Sequence, residues 1–584
     1  MAFSGKLERI RAAMPGLDTA MGYKREWLVA DLRAGVVLTM LLIPAGIGYA
    51  QAAGLPAYTG LYATTVPLLV YAVFGPSRIL VLGPDSSLAP IIAAAILPLA
   101  LGDDARAVAL AGLLAIMVGV VLILGGLARI GFVTDLLSKP IRIGYLNGVA
   151  LVVIISQVPK LLGFSVERAG PLENIGRIFA GIGDGRIAVL AAIFGVGSIA
   201  VILVFRIAFR QRGIGTFVAV AAATALIAVL GLEDSIPTVG AMPRGFPAPA
   251  LVGLGWSDVL SLVGPALGIA LITFADTGVL SRTLAARRGE SVSGSQEMIG
   301  LGAANVAGGL LGGFPVSSSA SRTPVAEQAG AQTQLTNVVG AVLIVLFMSA
   351  APDVTRYLPE AVLAGVVIVA ASTFIDVKSL VRLWGMDRTD ALLSLAAFLG
   401  VYLVGVLEGI VVTIALSFLA FALQAWRPYR AELGLVPGLR GYHDRSRHPG
   451  AERVPGVVIV RFDAPLFFAN GGIFDTWARS VVRKADKEER GAGRPGVHTV
   501  ILAAEPITDI DTTAIDELVE LDEFLAARDI ALVLAEVKGP VKDHLTRWGM
   551  TERFPPERFK PTVGAAVDEI TGVLRRDIDG TEED

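Results

Sequence analysis

The chain has no cysteine among its 584 residues. That excludes a disulfide framework, a thiolate metal site and thiol catalysis. Histidine is nearly as scarce. All four (His443, His448, His498 and His544) lie in the last quarter of the chain, so proton chemistry upstream of them falls to carboxylates. Charge is thin: 17% of residues, against about one-quarter in an ordinary soluble protein. The formal net charge of −3 offers no basic footprint for nucleic acid. There is no phosphate-binding glycine loop, and the oily portion holds no nucleophile–histidine–acid set, so neither an enzyme nor a cofactor is expected. Lys6, Arg9 and Arg11 precede no apolar core before Lys24 and Arg25, which argues against a cleavable signal peptide.

What is present is hydrophobic residue, 54% of the total, unevenly spread. From about Ala30 to Leu423 the chain is a succession of apolar runs near the ~20 residues that span a bilayer. Fourteen are recognisable, with cores near 30–52, 58–74, 84–100, 106–127, 141–158, 186–205, 214–231, 257–280, 295–311, 320–329, 335–350, 359–375, 389–404 and 406–424. They do not alternate, so they predict helices rather than barrel strands. The expected organisation is a cytoplasmic N-terminal segment (1–29), a transmembrane domain (30–425), a linker (426–436), a soluble α/β domain (437–576) and an acidic, disordered tail (577–584).

Basic residues place both termini in the cytoplasm. The inner loops would carry Arg129, Lys139 and Arg142; Arg206, Arg210 and Arg212; Arg282, Arg287 and Arg288; and Lys378, Arg382 and Arg388. The opposite loops hold Asp103, Asp104, Glu233, Asp234 and Asp353, the 159–185 loop with Lys160, Arg168 and Arg177 being the exception.

An internal repeat follows. IPAGIGYA (43–50) leads to VLGPDSSLAP (81–90), and TFADTGVL (273–280) leads to GGFPVSSSAS (312–321). Pro44 precedes Pro84 by 40 residues, and Asp276 precedes Pro315 by 39. Seven runs lie on each side of the 232–256 loop. An odd number per half gives the halves opposite orientations, the plan of many secondary transporters, whose sites form where matching helices break.

Each break has small residues, a proline and then hydroxyls. Pro84 and Pro315 suit the first turn of a helix, so both breaks predict helix starts within the membrane. A helix start offers unpaired N–H groups and partial positive charge to an anion. Ser86, Ser87, Ser319 and Ser321 are candidate caps or anion donors, Arg322 supplies full charge, and Tyr49 completes the expected substrate-binding set. Arginine at membrane depth calls for a cavity or a partner. Asp276 lies inside an apolar helix and is the candidate proton-coupling acid, with a sodium ligand as the lesser alternative. A structural ion pair with Arg322 is the competing explanation for both residues. Asp85 reads as a helix N-cap rather than a second proton site. Glu408 and Asp135 fall near membrane ends, and Gln296, Glu297 and Asn305 read as polar glue.

Three stretches, IPAGIGYAQAAGLP (43–56), KPIRIGYLNGVALVVIISQVPKLLG (139–163) and QEMIGLGAANVAGGLLGGFPVSSSASRT (296–323), resemble the SulP family of sulfate permeases and related anion carriers. The resemblance implies an α-helical polytopic fold of 14 segments in two inverted seven-helix repeats. A core would move against a gate, with an anion site between the third and tenth helix starts. It also implies a homodimer. Asp276 matches the eighth-helix acid of proton-coupled members, usually glutamate there. Two departures stand out. Ala45 replaces a frequent glutamine, and Leu280 replaces the hydroxyl that sodium-coupled bicarbonate members carry one turn after the acid, which favours protons.

Beyond Pro428 short strands alternate with amphipathic helices, a small α/β domain. It resembles the STAS domain that SulP carriers share with anti-sigma factor antagonists. DTTA (511–514) stands where those antagonists are phosphorylated, so Thr512 and Thr513 are candidate regulatory sites, with helix capping the plainer explanation. Together these features predict a multi-pass cytoplasmic-membrane transporter of a small anion, sulfate foremost, imported with protons by alternating access. The alternatives are a bicarbonate or dicarboxylate carrier, a passive anion channel or exchanger, or a non-transporting regulator. One proton per sulfate would still carry net negative charge inward against the membrane potential.

Overall fold

The computed structural model describes residues 14–129, 139–166, 171–209, 214–243, 251, 253–319 and 321–572. Lys6, Arg9, Arg11, Asp135, Arg168, Arg210, Arg212 and the 577–584 tail lie outside the described residues, as does the Glu408 side chain. The chain divides into two compact units, residues 1–418 and 419–584.

The first unit begins with α1 (Pro15–Met21), α2 (Leu28–Ala52), α3 (Ala57–Phe74), a two-residue strand β1 (Leu82–Gly83), α4 (Ala89–Ala100) and α5 (Asp104–Leu127). It continues through α6 (Lys139–Leu161), α7 (Pro171–Gly183), α8 (Val189–Ile207), α9 (Ile214–Leu230) and α10 (Trp256–Arg287). Then come α11 (Gly294–Leu310), β2 (Ser317–Ser318), α12 (Arg322–Gln328), α13 (Leu335–Ala350), α14 (Glu360–Ser372), α15 (Val377–Met386), α16 (Arg388–Leu399) and α17 (Val406–Trp426), the last running across the boundary between units. Each of the fourteen apolar runs coincides with a helix. Three helices were not anticipated. α1 is short, while α7 and α15 each carry charge on one face and apolar residues on the other, too short and too polar to register as spans.

Helices of the first unit pack in two groups. One gathers α2 to α5 with α10 to α13; the other gathers α6, α8, α9, α14 and α16. The first group is tightest between α5 and α11. Gly112 and Gly119 oppose Gly309 and Gly302, and a Cβ on Gly119 would sit 2.5 Å from the Gly302 carbonyl. Small residues let two backbones approach where lipid supplies no hydrophobic drive between helices.

The chain between α3 and α4 is extended at membrane depth, so its polar backbone must be satisfied by protein. Gln334 Nε2 donates to Ser77 O (2.7 Å) and Leu80 O (3.0 Å), Asn337 Nδ2 donates to Leu80 O (2.7 Å), and Val81 N donates to Thr323 Oγ1 (3.1 Å). In the other half, Asn305 brackets Val316, accepting from its N–H (2.9 Å) and donating to its carbonyl (3.1 Å). Glu297 accepts from Tyr71 Oη and from Ser77 Oγ (3.0 Å). Buried Asp31 accepts from Gln332 N and Thr333 N, tying α2 to the start of α13.

The second unit has six strands, β3 (Arg430–Leu435), β4 (Tyr442–Asp444), β5 (Val457–Phe462), β6 (Thr499–Ala503), β7 (Ala531–Ala535) and β8 (Phe559–Lys560). Their order is β4-β3-β5-β6-β7-β8; β5 to β8 run parallel, and β3 lies antiparallel to both β4 and β5. The helices are α18 (Gly471–Gly491), α19 (Thr512–Ala526), α20 (Gly539–Arg547) and α21 (Val563–Thr571). Alternate residues divide the sheet between two cores. Val458, Val460 and Phe462 face α18 and α19, whereas Val457 and Ile459 face α21. Residues 430–435, inside the stretch expected to be linker, are β3. Its buried Ala431 and Leu433 extend the second core, a contribution too short to stand out beside a long apolar helix.

Candidate functional site

The two breaks meet. β1 and β2 pair antiparallel, Leu82 opposite Ser318 and Gly83 opposite Ser317. This ladder corrects the expected helix starts. Pro84 follows β1, Pro315 precedes β2, and the helices open only at Ala89 and Arg322. A fixed proline φ fits extended backbone as well as a first helical turn. Which applies depended on a pairing partner more than 200 residues away.

α12 is only seven residues long, so its dipole is slight and the charge there is that of Arg322. The Arg322 side chain is 3% exposed. Nη2 donates to Pro84 O at 2.5 Å, while Nε and Nη1 are buried without a hydrogen-bond partner among the described residues. Gly83 makes room for the guanidinium. A Cβ there would lie 3.0 Å from Nη1, and the glycine φ of +152° is one that L side chains rarely adopt. Tyr49 of α2 is buried and lies within electrostatic reach of both Arg322 and Asp85.

The serines divide by task. Ser319 Oγ accepts from Arg322 N (3.2 Å) and lies 3.2 Å from Ser321 Oγ, so Ser319 holds the start of α12. Ser321 is solvent-accessible. Ser86 and Ser87 are buried. Ser87 is engaged locally, its N–H and hydroxyl both donating to Asp85 Oδ1 at 2.9 and 2.8 Å. Asp85 therefore closes the turn before α4 rather than capping the helix itself.

Asp276 sits within α10, partly buried, without a hydrogen bond or ion pair among the described residues. Its electrostatic neighbours are Asp85 and, from α6, Arg142 and Tyr145. No ion pair joins it to Arg322, whose own neighbours are Tyr49 and Asp85. The buried Tyr145 hydroxyl has no hydrogen-bond partner among the described residues. Gly83 and Tyr145 were not singled out from the sequence, and Arg142, read there as an inner-loop charge, lies within α6. A tyrosine on an apolar helix looks like any interface aromatic until its hydroxyl is seen to lack a partner. Thr277 was also missed; its Oγ1 accepts from Ser318 N at 3.4 Å and ties α10 to β2.

In the second unit Thr512 and Thr513 are exposed in the first turn of α19. The cap is Asp511, which accepts from Ala514 N and Phe468 N, each at 2.8 Å.

Residues 28–397 match the sulfate permease family, and residues 448–566 match the STAS domain. The chain belongs to the sulfate permease family. It is a multi-pass membrane protein of a transporter family, not an enzyme family. It is 37% identical to a probable sulfate transporter of Mycobacterium tuberculosis over 555 residues, covering 95% of this chain and 97% of the relative. It is 30% identical to the chloroplastic sulfate transporter 4.1 of Arabidopsis thaliana, with 93% and 80% covered. The fold matches the murine Solute Carrier 26 family member A9 anion transporter in its inward-facing state, with a TM-score of 0.88 over 97% of this chain and 95% of that one, at 22% identity. The transmembrane domain of the cyanobacterial bicarbonate transporter BicA matches 68% of this chain and 98% of its own, with a TM-score of 0.57 and 22% identity.

Proposed function

We propose that this sulfate permease family member carries sulfate into the cell together with protons, by alternating access. The observation that carries the proposal is Arg322, a buried cation with two unpartnered donors beside hydroxyls from both halves of the chain. An oxyanion accepts such donors well, and charge-assisted hydrogen bonds are the strong ones. Ser86, Ser321 and Tyr49 are the hydroxyls assigned to the anion; Ser87 and Ser319 position the turn and helix that present them. Sulfate is favoured among oxyanions by the relatives that bear its name over nearly the whole chain.

Proton coupling rests on charge. Asp276 and Arg322 share an electrostatic neighbour, Asp85, so a dianion bound at Arg322 adds negative charge in the surroundings of Asp276. Negative charge favours the protonated carboxyl. By linkage, protonating Asp276 strengthens anion binding to the same degree, so sulfate affinity rises as pH falls. The two packing groups of helices are the natural moving parts, and the basic residues Arg282, Arg287, Arg288, Lys378 and Arg382 favour cytoplasmic termini in a cytoplasmic membrane.

The test is uptake of sulfate, bicarbonate and fumarate by proteoliposomes under imposed proton or sodium gradients. Sulfate should accumulate above equilibrium with an inward proton gradient. Asp276→Asn should abolish that accumulation while sulfate–sulfate exchange persists. Accumulation driven by sodium alone, or undiminished in the variant, would overturn the coupling. Absence of uptake for every anion would overturn transport itself.

A further inference from the structure

We propose that α15 is an interfacial anchor that binds anionic phospholipid headgroups of the cytoplasmic leaflet through Lys378 and Arg382. The inference goes beyond the transport reaction. Its side of the membrane rests on the orientation proposed above.

α15 has ten residues and rises about 15 Å. That is half of the ~30 Å hydrocarbon thickness, so the helix cannot span a bilayer. None of its residues is buried. At 3.6 residues per turn its surface divides into three strips. Ser379, Leu380 and Leu383 are partly covered, on a helix that packs against α6 and α16. Val377, Val381 and Trp384, spaced i, i+4 and i+7, share a second strip and are 58%, 67% and 55% exposed. Lys378 and Arg382, one turn apart, form the third, and both are exposed. An apolar strip with a tryptophan beside a basic strip is the pattern of a helix lying in the membrane interface.

The charge of the basic strip is available to a ligand. Neither Lys378 nor Arg382 forms an ion pair among the described residues. The nearby carboxylates are taken up by helix caps. Asp376 accepts from Ser379 N (2.9 Å) and Ser379 Oγ (2.5 Å), and Asp387 from Thr389 N (2.7 Å) and Asp390 N (3.3 Å). Lysine and arginine lay their stems along apolar surface and carry their charges to the headgroups.

The other amphipathic helix of this packing group supplies a contrast. α7 also exposes apolar residues, Phe179 and Ile182, but its two charges, Glu173 and Arg177, pair with each other at 2.6 Å. α7 follows the C-terminal end of α6. Asn147, in the N-terminal half of α6, accepts from Asp376 N at 2.9 Å and holds the start of α15. The basic helix therefore lies toward the end of α6 that carries Lys139 and Arg142, and the neutral one beyond the other end. Anionic lipid concentrates in the cytoplasmic leaflet, which matches the charge of α15 and not that of α7.

The chain has no cysteine, so a Val381→Cys variant gives the full-length protein a single attachment point for a fluorophore. The labelled protein is placed in vesicles of phosphatidylcholine and phosphatidylglycerol, with one lipid at a time brominated on its acyl chains. Brominated lipid should quench the label, and phosphatidylglycerol should outcompete phosphatidylcholine there. Each basic residue near the surface contributes about a fivefold preference, so the pair gives about 30-fold, declining as salt is raised. Adding Lys378→Gln and Arg382→Gln should bring the preference close to parity, with monodisperse elution on size-exclusion chromatography reporting an intact fold. Absence of quenching would show the apolar strip covered by protein, whether the second unit or a second copy, and would overturn the proposal. Equal quenching by the two lipids without the glutamine substitutions, or a preference that survives them, would overturn the headgroup assignment. Modification of a Lys378→Cys variant by an impermeant maleimide applied outside intact cells would refute the cytoplasmic orientation, and with it the leaflet, while the quenching decides the lipid contact independently.

Discussion

Removing the Arg322 guanidinium is the most informative single perturbation. One of its donors is held by Pro84 O at 2.5 Å; Nε and Nη1 have no partner among the described residues. If both serve the anion, each charge-assisted hydrogen bond contributes about 1.5–3 kcal/mol, so Arg322→Ala should weaken sulfate binding by about 3–6 kcal/mol, or roughly 10²- to 10⁴-fold. Arg322→Lys keeps the charge but not the planar fork and should fall between wild type and alanine. Gly83→Ala provides a third point without touching the arginine, because the new Cβ lies 3.0 Å from Nη1 in a backbone conformation unfavourable to alanine. It should also weaken binding, by less than the alanine variant. The assay is isothermal titration of sulfate into purified protein, supported by ligand-induced thermal stabilisation, which tracks RT ln(1 + [L]/Kd). Ser86→Ala, losing one neutral donor, should cost only about 0.5–1.5 kcal/mol. A folded Arg322→Ala variant with wild-type sulfate affinity would refute the reasoning and return Arg322 to a purely structural part.

Three further outcomes concern the scaffold, two in the first unit and one in the second. Asn305→Ala leaves the Val316 N–H and carbonyl without their partners, at about 1–3 kcal/mol for each group left unpaired; a lower melting temperature and weaker sulfate binding should appear together, and an unchanged melting curve would contradict the bracket. Gly119→Leu forces apart α5 and α11, where even a Cβ would come within 2.5 Å of the Gly302 carbonyl. The expected result is loss of monodisperse protein on size-exclusion chromatography, against a milder effect for Gly197→Leu, where the space around the Cβ position is open. Asp511→Ala removes the α19 cap at about 0.5–2 kcal/mol; hydrogen exchange in the full-length protein should quicken at the first turn of α19, and unaltered protection there would show the cap to be dispensable.

The membrane helices were legible because their signal is local. Bilayer thickness sets segment length, and an apolar run such as 106–127 declares itself without reference to anything distant. The paired breaks were legible for a related reason, since Pro84 with Ser86 and Ser87, and Pro315 with Ser319 and Ser321, repeat one pattern at one spacing. β3 was not legible. A six-residue strand of mixed polarity gains its place by pairing with β4 and β5, and no local pattern distinguishes that from a linker. α7 and α15 were missed for want of length.

The sequence by itself determined that this chain spans a membrane many times, that its apolar part carries two matched interruptions, and that this part holds neither cysteine nor histidine. Those conclusions depend on composition and spacing alone. Only the tertiary structure decided that the interruptions pair as strands before they become helices. Only it showed that Arg322 turns to the Pro84 carbonyl and leaves two donors unused, and that Asp276 faces Arg142 and Tyr145 instead of Arg322. Hydrogen bonds and charges act over a few ångströms of space. Residues 82 and 318 become neighbours only when the chain has folded, and it is at that crossing that the polar groups of the site acquire their partners or are left without them.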